Sequence, residues 1–136
     1  MASVVDSNLW IDFIRVKSPA KLKRFISPFI LAADAVMIEP IKFEVLRFIE
    51  LGSNPKLQQL FDRLPDLATP SGLWTKAAEL GLRCRRAGIG IGSMDLLIAT
   101  VAIHHQLTIV TFDLDFLQLS KLSTLQVNLL QKPIST

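Results

Sequence analysis

The chain has 136 residues, enough for one domain (residues 1–136) that buries most of its apolar surface without disulfides or a structural metal. Hydrophobic residues make up 50%, the mean hydropathy is +0.41, and a net charge of +3 with a pI near 9.3 comes from dispersed Lys and Arg, a balance that ordinary surfaces share. No apolar run approaches the ~18 to 20 uncharged residues of a bilayer-spanning helix, because Asp34, Glu39, Lys42, Glu44 and Arg47 interrupt the richest stretch.

The opening MASVVDSNLW is a strand-like run and an acid, without the basic and long apolar regions of a secretory signal, so a cytoplasmic protein is expected. Residues 3–5 read as a short buried strand. A helix from Asn8 to about Val16 follows, with Leu9, Phe13 and Val16 at helical spacing and Ser7 or Asn8 as its N-cap. Residues 21–29 suit a second short helix, and Ala35–Ile38 a second strand. Pro40 fits the first turn of a helix running from Ile41 to Leu51, whose face includes Ile41, Val45 and Phe48 and which Gly52 ends. Residues 55–61 form a short helical candidate, and Leu64–Ala68 a short strand or extended connector.

Residues 71–86 read as a long helix rich in Ala, Leu and Arg, with basic side chains gathered at Arg83, Arg85 and Arg86. Cys84 within it has no partner for a disulfide and is expected to be a buried or half-buried thiol. Glycines 88, 90 and 92 interrupt regular structure; GIGIG lacks both the GxGxxG spacing and the GK[ST] ending of phosphate loops. Ser93 is placed to cap a helix from Met94 to about His105. Residues 107–111 read as a strand, 113–119 as a short helix or turn, and 125–129 as a last strand. Alternating strands and helices imply an α/β domain with a mainly parallel sheet.

Four carboxylates stand where strand-like runs end or helix-like patterns begin: Asp6, Glu44, Asp95 and Asp113. In open parallel sheets the loops leaving the carboxyl ends of the strands converge on a crevice, so acids in these settings can meet. Two carboxylates ~4 Å apart repel by about 4 kcal/mol at an effective dielectric of 20, so a cluster needs a cation or a shared proton. Oxygen-only ligands suit Mg²⁺ or Mn²⁺, and the chemistry such an ion serves best is phosphodiester hydrolysis. Each acid also has a structural alternative: Asp6 as a helix cap, Glu44 paired with Arg47, Asp95 facing a helix dipole, Asp113 in an Asx-turn.

At these residues the chain resembles a PIN-domain ribonuclease of the VapC toxin type, nearly end to end. The matching blocks are VVDSN with Asp6, Ser7 and Asn8, then the PIxxxEL-like segment PIKFEVLR beginning at Pro40, then MDLLIATVAIHHQLTIVTFDLDF at residues 94–116. The resemblance implies a three-layer α/β/α fold with Asp6, Glu44, Asp95 and Asp113 gathered about Mg²⁺ or Mn²⁺, the metal ligands being Asp6, Asp95 and Asp113. Asp115 and Ser7 are auxiliary candidates, since the family uses one or both acids of the last motif. Arg86 matches a basic position suited to RNA phosphate. The family's hydrolysis leaves 5′-phosphate and 3′-hydroxyl ends, and its toxins form homodimers neutralised by a small antitoxin protein. Thr100 and Met94 depart from the usual pattern without removing an acid.

A phosphatase of the DxD type would need further motifs after Asp115, and too little chain follows to hold them. A receiver domain would need an acid pair after the first strand and a lysine after a late one. The alternative from another class is a PIN-fold module that binds RNA or protein without cutting. His104 and His105, adjacent on a helix and ~100° apart, read as a helix-end pair rather than shared ligands. Trp10 and Trp74 read as core or interface.

Overall fold

A computed structural model of the chain describes residues 1–134. Five strands, β1 (Ser3–Val5), β2 (Ala35–Ile38), β3 (Asp66–Leu67), β4 (Thr108–Thr111) and β5 (Gln126–Leu129), form one parallel sheet in the order β3-β2-β1-β4-β5. Val4 lies opposite both Val36 and Ile109, and Val5 opposite Val110, so β1 is central and apolar on both sides, as a covered parallel sheet requires. The helices are α1 (Ser7–Ile14), α2 (Ala20–Ile30), α3 (Glu39–Leu46), α4 (Pro55–Arg63), α5 (Leu73–Arg86), α6 (Ser93–His104) and α7 (Leu114–Lys121). Helix contacts group α1 to α4 on one face and α5 to α7 on the other, the arrangement that right-handed crossovers give for this strand order, and the result is a three-layer α/β/α architecture.

Packing agrees with these layers. α1 contacts α2 and α3, its Trp10 meets Phe61 of α4 edge-on at 5.2 Å, and α5 packs along α6. The core joins Val4, Leu9, Trp10, Met37, Ile38, Ile41, Ile98, Val101, Ile109 and Phe116, all fully or nearly fully buried. Successive strands step one way from β1 through β3, then the chain crosses back to β4 and β5. The switch lies between β1 and β4, and a parallel sheet opens its crevice there.

Several boundaries differ from expectation. α1 ends at Ile14, before Val16, which is 92% exposed, and its N-cap is Asp6 rather than Ser7 or Asn8. α3 begins earlier, with Pro40 in its first turn, and ends at Leu46; Arg47, Phe48 and Ile49 still donate to helical carbonyls, but Phe48 faces solvent instead of the core. Gly52 lies in a separate 3-10 turn, Leu51–Ser53. Gly92, not Ser93, caps α6. Residues 66–67 realise the short-strand option. Among the described residues no helix is long and apolar enough to cross a membrane.

Candidate active site

The site begins at the carboxyl end of β1. Asp6 takes extended backbone angles there, donates its N–H to the Val110 carbonyl of β4, and starts α1. Its carboxylate is 3% exposed, and both oxygens have donors: Oδ1 accepts from the Ser7 N–H at 2.8 Å, and Oδ2 accepts from the Thr111 hydroxyl at 2.7 Å. The capping role and the site role coincide in this one side chain.

Ser7 and Thr111 tie the neighbouring acids to it. The Ser7 hydroxyl donates to Glu44 Oε1 at 2.8 Å, a shorter contact than its 3.4 Å approach to Asp6. Glu44 therefore turns inward from α3 to the end of β1; among the described residues it forms no ion pair with Arg47, whose guanidinium lies 5.5 Å from the Phe48 ring centroid instead. Thr111, fully buried as the last residue of β4, also accepts from the Asp113 N–H at 2.9 Å. A relay of two hydrogen bonds thus links the backbone of Asp113 to the carboxylate of Asp6. Asp113 in turn caps α7 by accepting from the Asp115 N–H at 2.9 Å. Thr111 went unassigned from sequence because a β-branched residue at a strand end reads as sheet filler; the usable signal was a hydroxyl directly before the Phe112-Asp113 step.

Asp95 enters from the first turn of α6, and carboxylate oxygens of Asp95, Asp113 and Asp115 lie within 4.8 Å of one another. This trio includes Asp115, which sequence left open, and does not include Asp6. Burial, with Asp113, Asp6, Glu44 and Asp115 adding like charge, lifts the Asp95 carboxyl to about pH 7, outweighing the helix N-terminus that favours its ionised form. Burial lifts Asp6 to about 6 against the opposing hydrogen bonds from Thr111 and Ser7. Asp115 is also raised, by burial first and then by Asp113. All five acids named from sequence therefore meet at one place. Arg86 is exposed at the end of α5 and, among the described residues, makes no ion pair with any of them. His104 closes α6 at the end opposite Asp95, and His105 Nε2 lies 2.7 Å from the Ala68 carbonyl. Trp10 is core, and Trp74 is 74% exposed. Cys84 is a buried free thiol, and burial pushes its pKa up, as expected of a core cysteine.

The donor set fits a hard divalent ion. Ligand oxygens about 2.1 Å from an octahedral ion lie roughly 3 to 4.2 Å apart, a spacing the trio can meet, and the set contains only oxygens. A partly buried set of carboxylates at the switch point of a parallel α/β/α sheet defines the class: an α/β/α domain whose acidic site has oxygens close enough together for one cation.

The pattern of the PIN domain family matches residues 3–122, and the chain belongs to that family and, within it, to the VapC ribonucleases. Ribonuclease VapC11 of Mycobacterium tuberculosis is 30% identical over 129 residues, covering 90% of this chain and 95% of the relative. Two solved structures share the fold. VapBC from Salmonella typhimurium bound to DNA has a TM-score of 0.69 at 17% identity, covering 94% of this chain and 98% of that one. VapBC2 from Rickettsia felis bound to a promoter DNA fragment has a TM-score of 0.67 at 19% identity, covering 96% and 100%.

Proposed function

We propose that the protein is a cytoplasmic ribonuclease, the toxin of a toxin–antitoxin pair, which hydrolyses RNA phosphodiesters with Mg²⁺ or Mn²⁺ and works as a single domain over residues 1–136. The observation that carries this reading is the convergence of Asp6, Glu44, Asp95, Asp113 and Asp115 in one cluster, where burial and mutual repulsion raise the carboxyls of three of them. Structural acids are seldom arranged to oppose one another; such strain is characteristic of functional sites.

Asp6, Asp95 and Asp113 would hold the ion, with Asp115 within reach. When bound, it supplies Lewis-acid activation of water and neutralises charge on the phosphate. Glu44, aimed by the Ser7 hydroxyl, orients the attacking water and takes its proton, while Thr111 keeps Asp6 and Asp113 in register. Arg86, exposed at the end of α5, contacts RNA phosphate. An antitoxin partner is supported by the VapBC complexes among the structural neighbours. Exposed Phe43 and Trp74, lining an apolar cavity of about 350 Å³ with Leu73, Met94 and Leu97, support a homodimer.

The test is cleavage of end-labelled RNA by wild type and Asp95→Asn with Mn²⁺, Mg²⁺ or EDTA. Discrete products that need metal and drop by at least 100-fold in Asp95→Asn are expected. Folded wild type that leaves RNA intact with either metal would replace this reading with that of a non-catalytic PIN-fold binding module.

A further inference from the structure

On one face of α1 lies a cavity of about 330 Å³. Asn8, Ile11 and Asp12 line it from α1, Arg15 from the residue that caps the end of α1, Phe48 from the turn after α3, and Phe112 and Lys132 from the segments following β4 and β5. The spacing 8, 11, 12 keeps the three α1 residues on one helical face, and the cap residue Arg15 follows them one turn on. Asn8 directly follows Ser7, and Phe112 stands between Thr111 and Asp113, so the cavity adjoins the carboxylate cluster along the chain at two points. The mechanism leaves all seven lining residues unused.

Their chemistry is specific. Phe48 is 66% exposed, with the Arg47 guanidinium over one face of its ring. An aromatic ring held out of the core at a cavity wall is a stacking surface without an intramolecular stack. Phe112 is different: it lies nearly parallel to Phe25 at 6.3 Å, with the Lys132 ammonium 5.8 Å from its centroid, and so forms a fixed wall. Lys132 is held 3.1 Å from Asp12, a largely enclosed carboxylate, which fixes the more exposed ammonium at the rim. Arg15 adds a second, exposed cation, and Asn8 an exposed amide that can both donate and accept.

A flat ring, two cations and one amide match the parts of a nucleotide: a base face, a phosphate and a hydrogen-bonding edge. The volume is at the small end of the range for ligand pockets, about 300 to 1,000 Å³, and too small for a helix about 10 to 12 Å across. We propose that this cavity seats one RNA nucleotide flanking the scissile phosphate, with its base on Phe48, its phosphate at Lys132 and Arg15, and its base edge read by Asn8. This deepens the ribonuclease reading and rests on it. It makes cleavage selective for a base at one position beside the cut.

Two measurements test the subsite. Cleavage of a randomised RNA pool by wild type, Phe48→Ala and Asn8→Ala, read by sequencing the new 5′ ends, is expected to show a base preference beside the cut that Asn8→Ala flattens at that position alone. Phe48→Ala is expected to raise KM by roughly 5- to 150-fold, the range for losing one base stack. Independently, nucleoside 5′-monophosphates titrated into EDTA-treated protein are expected to shift the NMR resonances of α1 residues in wild type and not in folded Phe48→Ala. Active wild type whose base preference and KM are unchanged in both variants would overturn the subsite and leave the ribonuclease reading standing. Wild type that cuts no RNA would remove that reading, and monophosphate binding would then decide the subsite: shifts lost in Phe48→Ala support it, no shifts in wild type overturn it. Phe48→Ala that weakens capture of a protein partner while leaving RNA preference and monophosphate binding intact would reassign the cavity to that partner.

Discussion

One buried hydroxyl sets the geometry of two acids. Thr111 gives its proton to Asp6 Oδ2 and receives the Asp113 N–H, so it joins the ends of β1 and β4 across the switch point. Thr111→Val keeps the shape and removes both bonds, leaving the Asp113 N–H without its acceptor and Asp6 with one donor fewer. A buried polar group left unsatisfied costs about 1 to 3 kcal/mol, and a reacting group displaced by about 1 Å loses on the order of 100-fold in rate. Thr111→Val should therefore lower stability by that amount in urea unfolding and reduce cleavage by about 10- to 100-fold, while Thr111→Ser restores most of both. Equal activity of the valine and wild-type proteins would show that the relay does not position the acids. At this scale the acids were legible because a charge at the end of an apolar run is conspicuous. Thr111 was not, because its role depends on a contact 105 residues away in sequence.

Among the elements, strands were easier to read than helix ends. β1, β2 and β4 are short apolar runs that paired as expected. α1 and α3 stopped early because an apolar residue at helical spacing, Val16 or Phe48, need not have a core to face. For Phe48 that failure coincides with its place at the proposed nucleotide subsite. The most consequential helix contact involves a missing side chain: an added Cβ at Gly81 of α5 would lie 3.0 Å from Leu96 Cδ1 on α6, next in sequence to Asp95. Gly81→Ala should be near neutral, since a helix gain of about 1 kcal/mol offsets the shift of a flexible leucine tip. Gly81→Leu also favours helix but forces the pair apart, at a cost of about 1 to 3 kcal/mol, and should lower cleavage at least tenfold by moving Asp95. Retained helicity by circular dichroism would separate this displacement from unfolding. A leucine variant as active as wild type would show that α5 does not set the position of Asp95.

The whole molecule accommodates its site at a cost that pH and metal both change. Asp95 and Asp6 ionise at about 7 and about 6 in the folded chain, against 3.8 for an unperturbed aspartate. Between about pH 4 and 7 the folded state therefore holds more protons than the unfolded state, so stability falls as pH rises through that window. For enclosed Asp6 the loss is about 3 kcal/mol; for half-exposed Asp95 water screening keeps it below what its shift implies. Metal-free protein should accordingly unfold at a higher temperature at pH 5 than at pH 8, with Asp95→Asn flattening the difference by relieving the cluster. Mg²⁺ or Mn²⁺ should act oppositely, because a cation binds only the ionised site: a concentration 100 times its dissociation constant adds about 2.7 kcal/mol at pH 8 and much less at pH 5. Calorimetric scans at both pH values, with EDTA and with each metal, check both signs together. Stability of the metal-free protein that rises from pH 5 to pH 8 would mean that the acids do not oppose one another, and the observation on which the cation-binding reading rests would be gone.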